Sequence, residues 1–160
     1  MKFLINPPQI LRQFINKAVW EIETQEKEIF LTFDDGPTEK ITDWILDILN
    51  DYKAKATFFC IGKNIIENNK KFEKILNKEH SVGNHTHNHL NGWKTETNKY
   101  LENIRLTDKI IKTDLFRPPY GRIRYRQYNE IAKFKRIIMW NVLSRDYDKN
   151  LSCENVTETI

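Results

Sequence analysis

The sequence predicts a single α/β domain organised around a mostly parallel sheet, and three observations carry that prediction. Short apolar, β-branched runs alternate along the chain with segments of helical periodicity. A length of 160 residues gives room for one sizeable core. With 39% hydrophobic and 30% charged residues, the chain is too apolar for a disordered segment and too polar for a membrane bundle.

The elements follow in order. Ile10, Leu11, Phe14 and Ile15 fall at helical spacing, so residues 1–28 are read as a helical extension that caps the outside of the sheet, and 29–160 as the α/β domain. Residues 29–33 are continuously apolar or β-branched, are closed by Gly36-Pro37, and predict a buried strand. Ile41, Trp44, Ile45, Ile48, Leu49 and Tyr52 then line one face of a helix toward the core. A second strand over 56–61 ends at Gly62, and Phe72, Ile75 and Leu76 mark the helix after it. Ser81-Val82-Gly83 is a weaker third strand, and 95–112, with Tyr100, Ile104 and Ile111, is the longest helix. Leu115-Phe116 is a short strand cut by Pro118-Pro119, residues 127–134 form a short helix, and 136–142 form a buried strand. Ser152 with Glu154 in the following turn starts one more helix near the end of the chain. Five strands separated by helices imply crossovers that cover both faces of the sheet or close it into a barrel.

Composition excludes several functions. Lys+Arg 26 against Asp+Glu 22 gives a net charge of +4, and lysines alternate with glutamates, as in Lys70-Lys71-Phe72-Glu73-Lys74. Such segments are solvated faces, not the basic stripe of a nucleic-acid binder. Cys60 and Cys153 lie far apart and outside any C-x-x-C pattern, which suggests neither a zinc ribbon nor a disulfide framework; Cys60 reads as a buried strand-end thiol. No run approaches the length of a membrane-spanning helix. Residues 1–8 lack the apolar core of a secretion leader, so the sequence carries no readable export address and by itself points to the cytoplasm.

The polar clusters stand where predicted strands end: Asp34-Asp35-Gly36-Pro37, His85-Thr86-His87-Asn88-His89, Arg117-Pro118-Pro119-Tyr120-Gly121 and Arg145-Asp146-Tyr147. In parallel sheets and barrels these ends open on one rim, so the clusters converge on one site. Adjacent carboxylates at Asp34 and Asp35 repel unless each has its own partner, a metal ion for one and a cation such as arginine for the other. His85 and His89 are four apart and share a face on a helical turn, and two imidazoles with one carboxylate make a ligand set for zinc and several other divalent ions. His87 would point away from that ion, and His80 would precede the strand without a role. Arg117, held ahead of two prolines, can grip a carboxylate bidentately, with Asp34 and Asp146 as candidates. Trp93, Tyr120, Trp140 and Tyr147 offer faces for a sugar ring, with Trp140 expected in the core.

Thr32-Phe33-Asp34-Asp35-Gly36-Pro37, His85-Thr86-His87-Asn88-His89 and Arg117-Pro118-Pro119-Tyr120-Gly121, in this order, resemble the first three motifs of the polysaccharide deacetylases of carbohydrate esterase family 4, the NodB-homology domain. The resemblance runs from about residue 29 onward and implies a distorted (β/α) barrel, incomplete at the C-terminus. It also implies removal of N- or O-acetyl groups from a polysaccharide such as peptidoglycan or chitin, dependent on one divalent ion, zinc first, with cobalt or nickel as others. By position it makes Asp34 the catalytic base, Asp35, His85 and His89 the metal ligands, and Arg117 the residue that orients the base. Tyr120 would donate its backbone N–H to the oxyanion, and Pro119, Tyr120 and Tyr147 would meet substrate. In the fourth motif, Leu143 stands where the family has an acid and Tyr147 where it has Trp, leaving Asp146 to balance Arg117. The fifth motif, a Leu-x-His that supplies a general acid, would lie past Ile160, and no histidine follows His89. A metal-containing glycan-binding module without turnover is therefore the alternative from another class, and an amidase or esterase acting on a small substrate is the alternative among enzymes.

Overall fold

The computed structural model describes residues 15–148 and 150–157. The chain runs β1 (Thr32–Asp34), α1 (Ile41–Asp51), β2 (Thr57–Cys60), α2 (Gly62–Glu67), α3 (Asn69–Asn77), β3 (Ser81–Asn84), a 3-10 turn (Gly92–Lys94) and α4 (Thr97–Asp108). It continues with β4 (Leu115–Phe116), a 3-10 turn (Pro119–Gly121), α5 (Tyr125–Ile131), β5 (Arg136–Ile137) and α6 (Cys153–Thr157). Each strand pairs in parallel with the next, in the order β1-β2-β3-β4-β5. Right-handed crossovers in sequential order move the chain one way and keep the helices on one side. That is an arc of a barrel, as the resemblance implies, and among the described residues it is not closed.

The alternation of side chains explains how one short strand serves both packing and chemistry. Phe58 and Cys60 of β2, with Phe33 and Val82 beside them, pack outward against Leu46 and Leu49 of α1, Ile65 of α2, and Phe72 and Ile75 of α3. A second outer cluster joins Phe116 and Ile137 to Tyr100, Leu101 and Ile104 of α4 and to Tyr128 and Ile131 of α5. Truncating a fully buried member such as Ile104 to Ala costs about 2–5 kcal/mol. The opposite parity faces inward: Asp34 is level with Phe59, and Phe59 with Gly83. A Cβ on Gly83 would sit 2.4 Å from the Phe59 ring, so glycine is what lets that ring lie flat across the interior.

Several expectations need correction. Pairing in the first strand covers Thr32–Asp34 instead of 29–33, and Ile29, Phe30 and Leu31 are exposed, because β1 is an edge strand with β2 as its one described neighbour. The buried face of α1 is Thr42, Leu46 and Leu49, whereas Ile41, Trp44, Ile48 and Tyr52 face solvent. This helix is apolar around most of its circumference, so periodicity there does not fix which side meets the sheet. Gly62, expected to end a strand, opens α2. The last strand is two residues long, and Trp140 is half-buried instead of buried.

Of the expected N-terminal helix, residues 1–14 lie outside the described residues. Ile15, Ala18 and Trp20 are buried in the outer cluster, and Val19 bridges Ile138 in parallel. Cys60 is fully buried, as expected, and burial raises its thiol to about 12, so it stays protonated and inert. No helix among the described residues is long and apolar enough to cross a membrane.

Candidate active site

The inward parity of β1 places Thr32 and Asp34 on one face, and β4 delivers Arg117 onto it. Arg117 Nη1 donates to Thr32 Oγ1 at 2.8 Å and to Asp34 Oδ1 at 2.9 Å. Its Nη2 donates to the Met139 carbonyl at 2.9 Å and its Nε to the Ile138 carbonyl at 3.3 Å. The guanidinium lies 4.2 Å from the Phe59 ring centroid. Burial disfavours the Arg117 charge and the Asp34 carboxylate favours it. A guanidinium fastened on both edges and one face has little freedom, so it fixes where the Asp34 carboxylate points.

Asp35 turns the other way. Its backbone is left-handed, at φ 68°, and its Oδ1 stands 3.4 Å from His85 Nε2 and 3.0 Å from His89 Nε2. These two imidazoles hold the Asp35 carboxyl well below the usual carboxylate range. His85 Nδ1 lies 2.7 Å from the Arg117 carbonyl, which only accepts, so Nδ1 carries a proton and a neutral ring turns its Nε2 lone pair toward Asp35. A lone pair facing a carboxylate calls for a cation or a proton between them. The ligand atoms of Asp35, His85 and His89 all lie within 4.8 Å of one another. Tetrahedral zinc with bonds of about 2.0–2.1 Å separates its ligands by about 3.3 Å, so the donor set fits such an ion in spacing and chemistry.

The sequence suggested a helical turn for His85 and His89, but the segment is a loop in which Thr86 and His89 have φ of 62° and 53°. Five of its backbone donors are accounted for. His85 N–H bonds the Cys60 carbonyl, Thr86 N–H the Asn84 side chain, and His87 and Asn88 N–H share Asn103 Oδ1. Leu90 N–H bonds Thr86 Oγ1. The carbonyls of Thr86 and His87 accept from Gly62 and Lys63, first-turn donors that α2 leaves unused. Asn84 is held in turn by Ile104 O and Asp108, and Asp108 also accepts from Lys135 at 2.6 Å. Left-handed residues at Asp35, Thr86, His89 and Tyr120 thus cluster on one rim, held by surrounding structure.

Tyr120, with φ 60°, places its ring 4.5 Å from His89, and Pro119 is buried beneath the same turn. A Cβ on Gly121, itself at φ 64°, would lie 2.6 Å from Trp140, which explains the glycine after Tyr120. Asp146, expected to balance Arg117, accepts from Ser144 Oγ at 2.7 Å and is exposed; Asp34 alone among the described acids pairs with Arg117. Tyr147 is exposed, in the stretch past the end of the β5 ladder. His87 lies against Gly62, outside the triad, and His80 Nδ1 accepts from Ala56 N–H at 3.3 Å. Sequence reasoning did not find Asn84, Asn103, Asp108, Thr32 or Phe59. Only Thr32 had a local signal, since it shares its strand face with Asp34.

A carboxylate–imidazole triad beside a carboxylate–arginine pair, on the rim of a parallel α/β arc, has the composition of a hydrolytic metal centre. Comparison with known proteins makes the class specific. The polysaccharide deacetylase family matches residues 21–136, and the chain belongs to that family. Two peptidoglycan-N-acetylglucosamine deacetylases of Bacillus cereus are 41% identical over 111 residues (66% of this chain, 52% of the relative) and 34% identical over 140 residues (83% and 50%). The crystal structure of the Bc1960 peptidoglycan N-acetylglucosamine deacetylase superposes with a TM-score of 0.85 at 31% identity, covering 92% of this chain and 73% of that one. The chain spans about half the length of these curated relatives.

Proposed function

We propose that the chain hydrolyses the acetamide of an amino sugar in a polysaccharide, with peptidoglycan as the leading substrate. The observation that supports this most directly is the pair of adjacent aspartates with different partners, Asp34 on Arg117 and Asp35 on His85 and His89. Asp35, His85 and His89 would hold one divalent ion, zinc first. Such an ion lowers the pKa of water and polarises a carbonyl. Asp34, oriented by Arg117, takes the proton of the attacking water. The Tyr120 backbone N–H donates to the developing oxyanion. The amide C–N bond breaks, the acetyl group leaves as acetate, and the sugar amine takes up a proton. Two names among the relatives support the substrate class, and a cell-wall substrate would place the site of action at the envelope.

The test is acetate release from N-acetylglucosamine oligomers and peptidoglycan fragments with added zinc, comparing the chain with Asp34→Asn. Zinc-dependent release that the substitution abolishes supports the proposal. Release that ignores the substitution removes Asp34 from its role, and tight glycan binding with no release favours a binding module instead.

A further inference from the structure

A line of side chains leads away from the triad. From His89 the next ring is Tyr120 at 4.5 Å; the Arg122 guanidinium then lies 6.0 Å from the Tyr120 centroid and 5.2 Å from that of Trp93. Arg122 is exposed and forms no ion pair or side-chain hydrogen bond among the described residues, although nearby Arg124 is committed to the Trp93 carbonyl. Its charge lies near two rings while its N–H donors have no partner among the described residues, so the edge of the guanidinium is free to receive a carboxylate.

The ledge is built from below. Fully buried Gln127 donates to the carbonyls of Gly92 and Thr95 at 3.0 Å each and accepts from Arg124 N–H at 2.9 Å, which ties the Trp93 turn to α5. The Trp93 indole N–H donates to the Ile123 carbonyl at 3.2 Å, fixing the ring plane. Two aromatic faces of this kind suit sugar rings. The cation lies near both rings, and Tyr120 links it to His89 of the triad, so a glycan whose acetamide reached the triad could bring a neighbouring sugar toward it.

We propose that Arg122, carried between Trp93 and Tyr120, is a carboxylate subsite that selects glycans whose sugar beside the acetamide-bearing one is acidic. This rests on the hydrolase proposal for the site it adjoins. The shared chemistry is a carboxylate, which peptidoglycan supplies in two ways: the lactyl ether of alternate sugars where no peptide is attached, or the acids of the attached stem peptide.

Binding to the full chain with zinc present, followed by calorimetry, tests the proposal. Three probes are used: a peptide-free peptidoglycan tetrasaccharide with free lactyl carboxylates, the same glycan with stem peptides, and neutral chitotetraose. The expected result is about tenfold tighter binding of at least one acidic glycan than of chitotetraose at low salt. Arg122→Gln should narrow that ratio to below about twofold, and Arg122→Lys should keep only part of it, since an ammonium lacks the bidentate fork. Preference for the peptide-free glycan assigns the lactyl group, and preference for the peptide-bearing glycan alone assigns the peptide; both support the subsite. A ratio unmoved by Arg122→Gln, or no acidic preference in the starting chain, overturns it. Acetate release measured alongside separates the two proposals: an Arg122-dependent preference without release sinks the hydrolase and leaves the subsite, and release without the preference does the reverse.

Discussion

Asp34 and Asp35 are adjacent and chemically identical, yet the fold gives them opposite surroundings. The Asp34 side chain is 34% exposed and pairs with an Arg117 side chain that is 4% exposed, in an extended strand whose parity points it inward. The Asp35 side chain is 61% exposed, sits in left-handed backbone just past the strand end, and faces two imidazoles. One residue of strand continued or broken decides which partner each carboxylate meets. Roles are therefore set by neighbours and backbone, since the carboxyl groups start the same.

The sharpest break of this contrast is to neutralise each carboxylate in turn. Asp34→Asn should lower acetate release by about 10²–10⁴-fold while leaving zinc affinity, measured by chelator competition, within about threefold. Asp35→Asn should do the reverse in the binding assay and lose the ion, with activity falling as a consequence. Equal loss of zinc affinity in both variants would mean that the two aspartates share one job.

Removing the cation behind Asp34 comes next in size. Arg117→Met strips the partners from the Asp34 carboxylate and from the Ile138 and Met139 carbonyls at once. Breaking such a buried pair from one side costs about 3–5 kcal/mol, readable as a lower urea midpoint. Asp34→Asn keeps an acceptor for the guanidinium and should cost well under half of that. A similar loss in both would show that the charge of Asp34, and not the reach of Arg117 to the β5 end, holds this half of the site together.

How far the site was legible follows from the same geometry. Thr57–Cys60 could be read as a strand because both its faces are buried, and Asp34, His85 and Arg117 announced themselves as polar residues at strand ends. Trp44 and Ile48 misled because α1 is apolar on more sides than the one it buries. Asp146 is matched to Arg117 through the resemblance in the fourth motif, but it lies past the end of the β5 ladder, exposed and bonded to Ser144. The supports of the histidine loop left no trace: Asn84 and Asp108 are 24 residues apart and meet only because β3 packs against α4. Spacing within a segment encodes which face a residue occupies, whereas contacts between segments depend on the register of the finished sheet.

Those silent supports give a smaller, more diagnostic effect. Asn84→Ala removes the acceptor of Thr86 N–H and the donor to Asp108 and Ile104 O, in a residue with no exposed surface. A loss of about 1–3 kcal/mol in stability is expected from the unpaired groups. Because the loop carries His85 and His89, zinc affinity should also drop about 10–100-fold. Asp108→Asn, one bond further out, should show the same pattern weakened. Destabilisation with unchanged zinc affinity would confine Asn84 to the packing of β3 on α4.

The smallest effect concerns the histidine that the site does not use. His80 is buried, accepts a backbone N–H at Nδ1 and packs 5.4 Å from the Phe58 ring. Burial, and then the nearby Lys55 and Lys78, push its pKa below the usual 6.5. A folded-state value below the unfolded one means that the unfolded chain binds the extra proton. The neutral ring's contribution is therefore complete above about pH 6.5 and declines as the pH falls from there toward the lowered folded value. The slope from this one group is at most about 1.4 kcal/mol per pH unit. Asp35 responds elsewhere, since a carboxyl held so low stays ionised through that window. His80→Asn keeps an acceptor and removes the titration, so the difference in unfolding free energy between pH 7.5 and 5.5 should shrink relative to the unsubstituted chain. If the two chains lose stability equally over that interval, His80 is not a source of the acid sensitivity, and the role given to its burial fails.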